Sequence, residues 1–194
     1  MAKKIISGVK NPSDKDTITL EEAIEIQKCV ESYEYFLGNY VKVQHPTKGS
    51  VLFRPYEYQE RVLKTIHENI HTIILQPRQS GKSQTIISYI LWLLCFFPDK
   101  QIGVASNKLT GAKDLLSRFK YSYEELPTFL KPAVTSYNIF GVDFDNGSKI
   151  VSIATTESSF RGLSMSCVSL NKTKIIVRDK ETGEISEKYI HELI

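Results

Sequence analysis

Eight consecutive residues, Gln76-Pro77-Arg78-Gln79-Ser80-Gly81-Lys82-Ser83, have the types and order needed to hold a polyphosphate. They close on Gly-Lys-Ser, the end of the GxxxxGK[ST] pattern, which binds nucleotide phosphates when it follows a strand and opens a helix. Each part has a task. Successive backbone N–H groups and the helix N-terminus form an anion hole, and the Lys82 ammonium reaches the β and γ phosphates. The Ser83 hydroxyl ligates Mg²⁺. Gly81 lets the backbone turn close to the phosphates. Gln76 stands where the generic pattern has its first glycine. Arg78 adds a fixed cationic fork that can reach the γ phosphate as it leaves.

Two further groups bear on this chemistry. Upstream, Phe53-Arg54-Pro55-Tyr56-Glu57-Tyr58-Gln59 ends in a glutamine whose amide can pair both edges of adenine, with an aromatic ring nearby to stack. His67-Glu68-Asn69-Ile70-His71 matches the zinc-protease pattern HExxH. His71, however, falls at the start of the extended run feeding the phosphate loop, so the two imidazoles are not expected on one helical face, and no third ligand is evident.

These residues need elements to carry them. Thr72-Ile73-Ile74-Leu75 is predicted to be a buried strand entering the loop, the apolar run from Ser83 to Pro98 a helix, and Ile102-Gly103-Val104-Ala105 the next strand. That order is the unit of a parallel α/β sheet with flanking helices. A helix over about 58–69 precedes it, and one over about 110–125 follows. Phe140–Phe144 and Lys149–Ile153 read as a hairpin around Asp145-Asn146-Gly147-Ser148. Near the start, Thr19 reads as the N-cap of a helix that turns Ala23, Ile24, Ile26, Val30, Tyr33 and Phe36 to the core and ends near Gly38. A turn over His45–Gly49 comes next.

A chain of 194 residues with 41% hydrophobic content is long enough to bury a core. Its net charge of +3 is too small to mark a nucleic-acid arm, so any DNA role must rest on motifs. The three cysteines, Cys29, Cys95 and Cys167, are odd in number and lack CxxC spacing, which fits a reducing, cytoplasmic setting. The run Ile86–Phe97 is too short to span a bilayer, and no membrane segment or targeting signal is expected.

With those residues in place, the segment from about Phe53 to Ser166 resembles the N-terminal ATPase of the large terminase subunit of contractile-tailed phages. The resemblance is carried by Tyr58-Gln59 as adenine motif, Arg78–Ser83 as that family's arginine-containing Walker A variant, Glu125–Pro132, Asp145–Ser148 and Arg161-Gly162. It implies a P-loop NTPase sheet that binds ATP and Mg²⁺ and drives double-stranded DNA through a portal into a capsid, working with the small terminase subunit in the infected bacterial cytoplasm. It also implies a Walker B strand ending in Asp-Glu, which does not appear after Ser166, so little hydrolysis is expected of this chain by itself. A superfamily-2 helicase fragment would share the glutamine motif and the loop.

From Cys167 the character changes. Cys167-Val168-Ser169-Leu170-Asn171-Lys172-Thr173-Lys174-Ile175 is similar to the opening block of inteins, and residues 185–194 look like a later intein strand. The resemblance implies that Cys167 attacks the Ser166 carbonyl to form a thioester. A separate chain would then supply the intein C-terminal half and the rest of the terminase. This divides the chain into an N-terminal helical region (1–50), a partial P-loop ATPase (51–166) and a split-intein N-terminal fragment (167–194). A truncated contiguous intein is equally open. The lesser alternatives are a Cys167 that is only a buried thiol in a diverged ATPase strand, and a stand-alone nucleotide-binding protein that does not hydrolyse.

Overall fold

The computed structural model describes residues 8–14, 17–45, 47–154 and 165, together with the backbone of residues 167–171, 174–178 and 185–189. Two helices open the chain, α1 (Leu20–Glu31) and α2 (Tyr33–Asn39). Thr19 caps α1 as its sequence predicts: Glu22 N–H donates to Thr19 Oγ1 at 3.3 Å, and Thr19 N–H donates to Glu22 Oε2 at 2.8 Å. The expected single helix is broken at Ser32, whose extended backbone ends α1 while its Oγ accepts from Tyr35 N–H at 3.0 Å to start α2. That break re-aims the chain. Tyr33, Phe36 and Leu37 are buried and α1 buries Cys29, whereas Ala23, Ile24 and Val30, expected in the core, face solvent. α2 ends at Asn39, one residue past Gly38, as expected.

A short antiparallel hairpin follows, β1 (Lys42–His45) and β2 (Gly49–Leu52), on either side of the turn read in the sequence. β2 runs across the 50/51 division between the first two expected domains, and Val41 and Phe53 carry the core through the hairpin. The residues before 51 therefore share one hydrophobic core with those after it. Trp92, on the helix α4 (Lys82–Phe96), donates its Nε1–H to the Cys29 carbonyl at 2.7 Å.

The remaining elements are α3 (Glu57–Glu68), α4 (Lys82–Phe96), β3 (Gln101–Ser106), α5 (Leu109–Glu124), a 3₁₀ turn (Thr128–Leu130), β4 (Val134–Asn138), β5 (Gly141–Phe144), β6 (Lys149–Ala154), β7 (Cys167–Asn171), β8 (Lys174–Arg178) and β9 (Ile185–Tyr189). The fold is mixed α/β. Five strands form one sheet in the order β4-β5-β6-β3-β7, with β3 parallel to both β6 and β7 and the β4-β5-β6 meander antiparallel. β3 is buried from Ile102 to Ser106, as expected of a parallel strand covered on both faces. α5 packs on β3 and β6, α4 lies beside α5, and α2 and α3 pack on α4.

Two expectations change here. Thr72–Leu75 is not a strand: it pairs with no described strand, and Ile70 and Ile73 are 95% and 73% exposed. β-branched residues favour a pleated, half-buried surface, but they make a strand only beside a partner. Residues 167–171, read as the start of a separate β element, instead extend the main sheet, with Cys167 opposite Ile102 and Asn171 opposite Ser106. The Ile102–Ser106 edge was available, and the Cys-Val-Ser-Leu-Asn run can ladder along it. β8 and β9 pair only with each other.

Candidate phosphate-binding site

Residues 69–81 run between α3 and α4, and the phosphate loop is their last part. Gly81 is the N-cap of α4 with φ 74° and ψ 5°, a left-handed conformation that suits glycine, and Gln79 also has positive φ, 65°. Lys82 and Ser83 therefore open the helix. The first bond that closes the helix from this cap is Thr85 N–H to the Gly81 carbonyl at 3.0 Å, which the Thr85 hydroxyl reinforces at 3.2 Å. Among the described residues, the N–H groups of Lys82, Ser83 and Gln84 have no backbone hydrogen-bond partner, as is usual at a helix N-terminus.

The loop closes on itself through Gln76. Its carbonyl accepts from Lys82 Nζ at 3.2 Å, and its side-chain Oε1 accepts from Ser80 Oγ at 3.2 Å. This gives the glutamine at the pattern's first position a task that glycine could not perform. Pro77 and Arg78 are exposed, so the Arg78 guanidinium is open to solvent.

α3 supports the loop from one side. The Tyr58 hydroxyl and Gln59 Nε2 both donate to the Ser80 carbonyl, at 3.0 and 3.2 Å. Gln59 is only 5% exposed, and its Oε1 accepts from Tyr56 N–H at 3.0 Å. Tyr56 and Tyr58 stack with ring centroids 5.7 Å apart and planes 11° from parallel. The sequence reading named Tyr58 and Gln59 but missed Tyr56; the Tyr-x-Tyr spacing at a helix start was the available signal. A polyphosphate suits these groups: open helix N–H donors, one ammonium, one hydroxyl at the second helical residue, and no carboxylate within Gln76–Ser83.

Other expected features take different places. α3 ends at Glu68, which leaves His71 off the helix, while His67 Nδ1 lies 3.0 Å from the Tyr89 hydroxyl among Tyr33, Tyr89 and Trp92. The HExxH match is thus a packing arrangement. The 145–148 turn docks on the C-terminal end of α4: Asn146 Nδ2 donates to the Leu94 carbonyl at 2.9 Å and Ser148 Oγ to the Phe97 carbonyl at 2.9 Å. Within Glu125–Pro132, Lys131 is buried and its Nζ donates to the Glu124 and Gly8 carbonyls at 2.7 and 2.9 Å. Burial lowers its pKa. Arg161, Gly162 and Ser166 lie outside the described residues, as does the side chain of Cys167. Of the other thiols, burial pushes Cys29 up to about 12 and Cys95 also upward, so neither is poised as a nucleophile.

A groove of about 1010 Å³ lies elsewhere, between α2 and α3, and none of Gln76–Ser83 lines it. Its carboxylates at Glu31, Glu34, Glu57, Glu60 and Glu68 outnumber the cations Arg54, Arg61 and Lys64, a lining with no focus for an anion. Among the described residues, no helix is long and apolar enough to cross a membrane. The sequence matches no known protein-family profile.

Proposed function

We propose that this chain is the nucleotide-binding part of an ATP-driven DNA-packaging motor of the large-terminase type, held as a precursor with residues 167–194 as the N-terminal half of a split intein. The observation that carries the nucleotide reading is the loop itself. A left-handed Gly81 caps α4, Lys82 and Ser83 open the helix, and the first-turn N–H groups have no backbone partner. ATP would bind by its triphosphate on these groups, with Lys82 neutralising charge and the Ser83 hydroxyl holding Mg²⁺. When bound there, Mg²⁺ would supply charge neutralisation for the triphosphate. Arg78, exposed on the loop, is free to meet charge developing at the γ phosphate.

No acid lies within Cys167–Asn171, the strand beside β3, so this reading assigns the chain nucleotide binding with little hydrolysis. The acid that orients water would come on a separate chain carrying the intein C-terminal half. After splicing, the motor would act on double-stranded DNA with the portal and the small terminase subunit, in the cytoplasm of an infected bacterium. Cys167 would act as the splicing nucleophile on the Ser166 carbonyl, its thiol adding to the carbonyl carbon as the amide nitrogen leaves.

One observation favours a second reading. β7 continues the parallel sheet beside β3 from Cys167 onward, as a native strand of a stand-alone nucleotide-binding protein would. Two measurements separate the readings. Titration with Mg²⁺-ATP should show binding that Lys82→Ala weakens by at least about tenfold, the scale of one lost charge-assisted phosphate contact; equal binding by both proteins refutes the phosphate loop. Mass spectrometry after mixing with a tagged intein C-terminal half should show a ligated product containing residues 1–166 that Cys167→Ala abolishes. ATP binding without ligation, across several such halves, selects the stand-alone protein.

A further inference from the structure

The glutamine that resembles an adenine reader has its amide engaged inside the protein. Gln59 is buried, its Oε1 accepts from Tyr56 N–H at 3.0 Å, and its Nε2 donates to the Ser80 carbonyl at 3.2 Å. To pair an adenine edge, an amide must offer one donor and one acceptor together on its outer side; here one N–H and one lone pair are spent on protein partners, and at 5% exposure the rest of the amide is turned away from solvent. The Tyr58 hydroxyl donates to the same Ser80 carbonyl at 3.0 Å, so two neighbouring residues of α3 converge on a single loop oxygen.

A peptide held at its oxygen is also held at its nitrogen. The Ser80–Gly81 peptide is trans, so its C=O and N–H point in opposite directions. With the carbonyl fixed toward α3, the Gly81 N–H is turned to the opposite side of the loop, where it makes no backbone hydrogen bond. The contact is close as well: a Cβ built on Gly81 would stand 2.5 Å from Gln59 Nε2, so the strut rests directly on the residue whose left-handed φ of 74° starts α4.

We infer that Tyr58 and Gln59 are positioning residues of the phosphate loop, which fix the Ser80–Gly81 peptide so that its N–H is aimed at an anion before one arrives. This inference rests on the phosphate-binding reading of the loop and changes its specificity. The ligand is recognised through its triphosphate, so adenine and guanine nucleotides and inorganic tripolyphosphate are held by the same preorganised groups.

The test uses the full chain, with ATP, GTP and inorganic tripolyphosphate as probes in the presence of Mg²⁺ and calorimetry as the readout. Tyr58→Phe keeps the ring and its stack on Tyr56 but loses the hydroxyl, and Gln59→Ala loses the amide. Each is expected to weaken all three ligands by the same factor, about three- to tenfold, the worth of one hydrogen bond in the site. Circular dichroism melts give the folded fraction; a merely structural role would lower the melting temperature and leave the affinity of the folded protein unchanged. A loss confined to ATP, leaving tripolyphosphate untouched, would establish base reading and overturn the inference, as would no change in any affinity. If Gln59→Ala does not fold, Tyr58→Phe decides by the same criteria. Failure of the wild-type protein to bind any of the three probes removes the phosphate-binding reading itself, and the inference with it.

Discussion

The two ends of α4 are built in opposite ways. At its C-terminal end two carbonyls are held by side chains: Asn146 takes Leu94, Ser148 takes Phe97, and the Phe96 ring meets Phe36 of α2 edge-on at 5.1 Å. Gly147 lies so close to Asp99 that a Cβ would come within 2.2 Å of its carboxylate oxygen. At the N-terminal end the approach over residues 70–75 has no backbone pairing, and the first-turn donors are left open. A helix clamped where its carbonyls emerge and left open where its N–H groups emerge keeps its positive pole free for a ligand. The difference shows where the fold spends its packing: stability is gathered at the end remote from the chemistry.

The comparison can be broken most severely at the clamped end. Phe36→Ala empties a fully buried site against Phe96 and should cost about 3–5 kcal/mol, read as a lower urea midpoint with a similar slope. A smaller loss, about 1–3 kcal/mol, is expected for Ser148→Ala. Ser148 is 1% exposed, and its hydroxyl donates to Phe97 O and accepts from Lys100 N–H, so its removal leaves two half-buried backbone groups without these partners; an unchanged thermal midpoint would show that the turn is not a clamp. At the open end, Ile73→Ala should change stability by less than about 0.5 kcal/mol, because the side chain is 73% exposed. A large loss there would mean that the segment is packed after all. Repeating Ile73→Ala on the spliced product sharpens the point, since a strand partner supplied by another chain would turn a neutral change into a destabilising one.

What the sequence disclosed divides along the same line between local and distant causes. The Thr19 cap, the span of α4, the turn at Gly81 and the β5-β6 hairpin are decided by residues a few positions apart, and they form as expected. The break at Ser32 was also readable locally, since a serine three residues before Tyr35 is an N-cap signal set inside a helical pattern. Thr72–Leu75 failed for the opposite reason. Its propensity describes how the residues would sit in a sheet, while the presence of a neighbouring strand depends on chain far away. Thr72 records the mismatch, its buried Oγ1 having no hydrogen-bond partner. The task of Asn146 is 52 residues distant and that of Gln59 is 21, so neither pairing could be found from spacing alone. The glutamine was recognised as belonging to the site, but only the fold shows both ends of its amide in use.

The bare stretch from Ile70 to Leu75 also bears on how long this protein lasts in a cell. Cleavage enzymes accept substrates as extended, unpaired backbone, and exposed loops of this kind are where chains are nicked. A cut here would sever the covalent link between α3, which carries Tyr58 and Gln59, and the loop they hold, while α3 stays packed on α4. The supply of competent protein would then be set by a race between degradation and whatever covers this segment.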